Sequence, residues 1–175
     1  MMRQIKLFVI PIFLLLAFLC VATVFLPSRV MVSRTVPINA DQQTIAAQVS
    51  NFNNWKNWFP LFQDKKIDVE IKQSHDTNYA ILRGESQKKL VYTLLNSSPG
   101  NIGINISDGE NNDETYQFIL LTNANGETQT TWNVNIKLKW YPWKKLAGVF
   151  MDKIKGPQYE AVLQNLKEAT EKIAH

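Results

Sequence analysis

Two histidines, one cysteine and fifteen acidic residues are the side chains this sequence offers for nucleophilic, acid–base or metal chemistry. His75 lies in the polar stretch SHDTN and His175 is the last residue, so neither has a companion at metal-ligand or triad spacing. Cys20 stands alone in an apolar run, which excludes a disulfide within the chain and a thiolate metal cluster. Asp76, Asp108, Glu110, Asp113 and Glu114 fall in turn-like segments, where carboxylates are ordinarily solvated, and Ser97 and Ser98 have no positioned base. Phosphate-loop, dinucleotide and zinc motifs are absent from the sequence. The expectation is no catalytic residue, no metal and no cofactor. Arg83 stands apart: in a strand among Ile81, Leu82 and Tyr92 it either points outward or turns inward to hold an acidic headgroup by paired hydrogen bonds. A cyclase- or hydrolase-type site would have to draw on Arg83, Tyr79 and Tyr92.

Such groups need elements to hold them. With 175 residues, 45% of them hydrophobic, the chain can build one domain with a sizeable core. Its formal charge of +4 falls to about +2 from Ser28 onward once Arg3 and Lys6 are set aside, too little to argue for nucleic acid. Val30 to Ile38 predicts a first strand. Asn39-Ala40-Asp41 then caps a short helix with Ile45, Ala46 and Val49 on its apolar side, and NWKNWFPLF makes a second, aromatic-rich piece. From Ile67 the period becomes two. Strands are expected at IDVEIK, at 79–84, 90–95, 102–106 and 115–122, separated by polar segments, and last in TTWNVNIKLKW, where Trp132, Val134, Ile136, Leu138 and Trp140 share one face. The chain closes on a helix expected over 156–173, begun by Gly156-Pro157, with Tyr159, Val162, Leu163, Leu166, Ala169 and Ile173 on one side.

Strands joined by short polar turns favour antiparallel pairing, and segregated helices make the chain α+β. RTVPINADQQTIAAQVSNFNNWKNWFP, TTWNVN and GPQYEAVLQNLKEATE resemble the START-like superfamily, also called Bet v 1-like or helix-grip, and within it bacterial SRPBCC proteins of the polyketide cyclase/dehydrase type. The resemblance covers the chain from Ser28 onward. It implies a curved antiparallel sheet of about six or seven strands gripping the long C-terminal helix, two short helices after the first strand, and a pocket for lipids, sterols or polyketides. Trp55, Trp58, Arg83, Tyr92, Phe118, Trp132, Val134, Ile136, Tyr159, Val162, Leu163 and Leu166 are the expected pocket residues. Whether their faces leave a gap or fill it decides between a hydrophobic-ligand binder and an interaction module with a closed interior.

Residues 7–26 are almost continuously apolar, about 20 residues and roughly 30 Å of helix, enough to cross a bilayer. The chain thus reads as an anchor, residues 1–27, followed by a domain, 28–175. Arg3 and Lys6 favour a cytoplasmic N-terminus, with the domain on the periplasmic or extracellular side. Only Pro27 to Arg29 separate the anchor from the first strand. If first and last strands pair, KLKWYPWKK comes to the bilayer level, and Lys139, Trp140, Tyr141, Trp143, Lys144, Lys145 and Phe150 form an expected membrane interface. LAGVFMDKIK would follow as one basic amphipathic helix. The expected partners are the lipid bilayer and a hydrophobic small molecule, not nucleic acid.

Overall fold

The computed structural model describes residues 11–174 apart from 16, 19, 24, 74–77, 85–88 and 110–112. Seven strands form one antiparallel sheet: β1 (Arg29–Ile38), β2 (Asp68–Gln73), β3 (Asn78–Arg83), β4 (Lys89–Ser98), β5 (Asn101–Ser107), β6 (Asp113–Thr122) and β7 (Thr128–Lys137). Their order is β1-β7-β6-β5-β4-β3-β2. The first strand therefore joins the last, through ten register pairs from Arg29↔Lys137 to Ile38↔Thr128. Between β1 and β2 come α1 (Gln42–Ser50), a 3-10 turn (Phe52–Asn57) and α2 (Pro60–Gln63). After β7 come α3 (Pro142–Val149) and α4 (Met151–Ala174).

Alternation places one face of every strand inward. On β7, Trp132 and Val134 are fully buried while Asn133 and Asn135 between them are half-buried, and β6 contributes Tyr116, Phe118 and Leu120. Cross-strand register joins these side chains into rows, one of which reads Ala80, Tyr92, Ile106, Glu114, Ile136, Val30. At the bulge in β4, Asn96 lies opposite Gly103, where a methyl group would collide with the Asn96 side chain. Glycine there lets the sheet bend.

The helices close the concave face. Asp41 caps α1 by accepting the Thr44 N–H at 2.7 Å, a bond that holds its carboxyl below the usual aspartate range. Ile45 and Val49 are then delivered to the core. Trp55 sits among Phe52, Trp58, Phe59, Phe62 and Tyr92, with centroids 4.8–5.6 Å away, and its indole N–H donates to the Val49 carbonyl at 2.8 Å. α4 lays Tyr159, Leu163 and Leu166 inward and packs against β1.

Several expectations need correction. Pro157 lies inside α4, not at its start. The helix begins at Met151, six residues before it, since Ile154 donates to the Phe150 carbonyl and Asp152 lies in the first turn. Gly156 serves another purpose: Arg34 crosses α4 there to meet Asp152 at 2.9 Å, and any side chain would run into its guanidinium. LAGVFMDKIK is not one helix, because Phe150 donates to Ala147 and closes α3 before α4 opens. β7 ends at Lys137; Leu138 remains buried, but Trp140 leaves the sheet face and is 83% exposed. β6 starts at Asp113, two residues before the expected start, which takes Glu114 out of the turn and into the sheet. Among the described residues no helix is long and apolar enough to cross a membrane. Positions 7–10, 16, 19 and 24 of the expected span lie outside the described residues, as do His75, Asp76, Glu110 and His175.

Candidate functional site

α4 packs against β1. Between α4, the start of α2 and strands β4 to β7 lies a cavity of about 920 Å³. Its apolar wall combines Phe59, Pro60 and Leu61 around the start of α2, Leu90 on β4, Ile106 on β5, Ile136 on β7, and Ala161 and Val162 on α4. Polar residues also line it: Asp108 just after β5, Glu114 and Tyr116 on β6, Lys155, Gln158 and Tyr159 on α4. Lys137, Lys139, Tyr141 and Lys144, from the end of β7 and the start of α3, complete the lining and make the rim cationic.

Glu114 is the least ordinary of these residues. Register puts it between Ile106 on β5 and Ile136 on β7, on the face that points under α4. Burial pushes its carboxyl above the usual glutamate range; nearby Asp108 adds to this, while Lys155 and a hydrogen bond from Tyr116 oppose it. Tyr92 and Tyr116, with ring centroids 6.4 Å apart, stand beside it as two buried phenols. Burial raises both phenols, and it raises Tyr159 on the facing helix. Trp132 stands against Tyr116 and Tyr159 at centroid distances of 5.0 and 5.2 Å, stacks on Phe118 at 5.3 Å, and also lines the cavity. Its indole N–H is buried without an acceptor. Among the described residues no cluster of histidine, cysteine and carboxylate groups has the makings of a metal site.

Of the residues expected to line a pocket, Tyr92, Trp132, Ile136, Tyr159 and Val162 do so. Trp55, Trp58, Phe118, Val134, Leu163 and Leu166 belong instead to the solid core, each 0% exposed. The two helix-turn tryptophans are consumed structurally, with Trp58 donating to the Gln48 carbonyl at 3.4 Å and its own carbonyl accepting from Asn165. Arg83 faces outward. It pairs with Glu70 at 2.6 Å and Asp68 at 3.3 Å, because its register partner Asp68 places both acids beside it on the outer sheet surface. Lys139, Tyr141 and Lys144, expected at a membrane interface, also line the cavity. Trp140, Trp143 and Phe150 are 83%, 67% and 55% exposed, and Lys145 donates to the Leu26 carbonyl at 3.2 Å, next to the end of the N-terminal apolar run.

Glu114, Tyr116, Lys155 and Asp108 were not foreseen as pocket groups. The parity of Glu114, Tyr116 and Phe118 was the available signal, masked by the acidic run DGENNDE in front of it.

The profile of the family described as polyketide cyclase / dehydrase and lipid transport matches residues 29–171. No curated protein matches the sequence. Solved structures with the same fold include a START superfamily protein from Mycobacterium smegmatis, 20% identical, with a TM-score of 0.58 over 82% of this chain and 98% of that one. The Zhui aromatase/cyclase from Streptomyces sp. R1128 is 12% identical, with a TM-score of 0.61 over 84% of this chain and 96% of its own. At these identities the likeness is one of fold.

Proposed function

Because the chain belongs to the polyketide cyclase / dehydrase and lipid transport family, we propose that it binds a hydrophobic small molecule beneath α4 and does so while held at a membrane. The cavity carries the first half of this reading. About 920 Å³ lies in the range of roughly 300–1,000 Å³ typical of small-molecule sites, and its wall is mainly apolar with a few convergent polar groups. An interaction module with a closed interior would have no such space. The second half rests on the apolar run ending at Leu26 and on the exposed tryptophans and lysines beside it. In this reading the N-terminus is cytoplasmic and the domain lies on the periplasmic or extracellular side.

Residues 28–175 contain the whole core, and the solved relatives named above consist of little more than the matching region. That piece is therefore a self-contained unit, suited to native mass spectrometry after purification without detergent. The expected result is a co-purifying apolar mass that disappears when Val162, which lines the cavity, is replaced by Trp. A clean protein mass that persists after incubation with membrane lipid extract would overturn the ligand-binding reading.

A further inference from the structure

The cavity wall contains an unbalanced set of hydrogen-bonding groups. Glu114 receives one bond from Tyr116, yet an ionised carboxylate offers about four acceptor positions. Lys155 lines the same cavity, but among the described residues no ion pair within 4.0 Å closes on Glu114. Facing it from α4, the Tyr159 hydroxyl has no protein hydrogen bond among the described residues. Spare acceptor capacity on Glu114 and a spare donor on Tyr159 thus line the same cavity. A half-buried carboxylate and a phenol that line one cavity are placed to meet a polar group of a ligand.

We propose that Glu114, Tyr116 and Tyr159 form a subsite for the hydroxyl group of an otherwise apolar ligand, an alcohol or a phenol. This deepens the ligand-binding reading and rests on it. A hydroxyl both donates and accepts, so it donates a hydrogen bond to the carboxylate and accepts one from Tyr159. A ligand carboxylate would instead meet Glu114 and Asp108. A ligand ammonium would meet Lys155 and pass the rim lysines 137, 139 and 144. The neutral group is the one that neither set repels.

Three probes with one chain length separate these cases: decanol, decanoate and decylammonium, titrated into residues 28–175 by calorimetry. Decanol is expected to bind most tightly. Glu114→Leu, which extends the isoleucine row and keeps the fold, should weaken decanol about tenfold and strengthen decanoate, while Glu114→Gln, which keeps an acceptor, should restore part of the decanol affinity. Tyr159→Phe should weaken decanol by a smaller factor. If the three probes bind alike, or decanol is indifferent to Glu114→Leu, while Val162→Trp still abolishes binding, the subsite is refuted and the ligand-binding reading stands. If no probe binds at all, both fall.

Discussion

A carboxylate between two isoleucines on the inner face of a sheet is held there against its own solvation. In the folded protein Glu114 keeps its proton more tightly than in the unfolded chain, mainly because burial disfavours the charge. The sign of the pH dependence follows from linkage. Stability falls as pH rises from the ordinary 4.5 of a glutamate through the raised folded value, and below 4.5, where the side chain is protonated in both states, the penalty is gone. Lys155, Asp108, Tyr116, Tyr92 and Tyr159 are the charged and titratable groups around it, and only Lys155 and the Tyr116 hydrogen bond favour the ionised form. Glu114→Gln should therefore raise the melting temperature by about 2–4 °C at pH 7 and by nothing at pH 4, as calorimetry at the two pH values would read. Equal shifts at both would mean that the gain is not electrostatic. Arg83 shows the opposite lesson: a cation flanked by apolar residues in sequence is a fair pocket candidate, but it faces outward to Asp68 and Glu70 on the preceding strand, a pairing set by a register that the sequence does not give.

At the scale of elements, α3 is fixed at one close contact. Gly148 passes so near Leu138 and Val30 that an added side chain would overlap both, which makes it the point where the helix meets the joined ends of β7 and β1. Gly148→Val should cost about 1–3 kcal/mol in denaturant unfolding and lever α3 away from the cavity rim. An unchanged midpoint would show that α3 is not docked there. Most of the elements were legible in advance. TTWNVNIK alternates cleanly enough to declare β7, and Asp41 with Thr44 announces the start of α1. Gly156-Pro157 misled because it is a common helix-opening pair. Its real setting, an arginine from β1 crossing the helix, is a tertiary fact with no local sequence signature. The cavity was less legible still. Its size is the difference between what two surfaces could fill and what they do fill, and six of the twelve expected lining residues turned out to be consumed in packing the solid part of the core.

For the molecule as a whole, the tryptophans supply a measurement of membrane contact. Trp55, Trp58 and Trp132 are at most 1% exposed, whereas Trp140 and Trp143 stand out from α3 and the segment before it, among Lys139, Lys144 and Lys145. In vesicles containing brominated anionic lipid, the full chain should lose tryptophan fluorescence through the exposed pair. Trp140→Phe with Trp143→Phe should remove most of that quenching, and high salt should reduce it. Quenching that is the same in the double variant would place the contact elsewhere.

Beginning and end of the domain meet in the pairing of β1 with β7, about a hundred residues apart in sequence. During synthesis the first strand emerges long before its only sheet neighbour, and α4, which covers it, emerges later still. A hairpin-by-hairpin assembly of β2 through β7 can proceed in the meantime, each strand pairing with the one just made. β1 is thus made first but cannot pair until β7 exists, and until α4 is released one side of the apolar interior stays open.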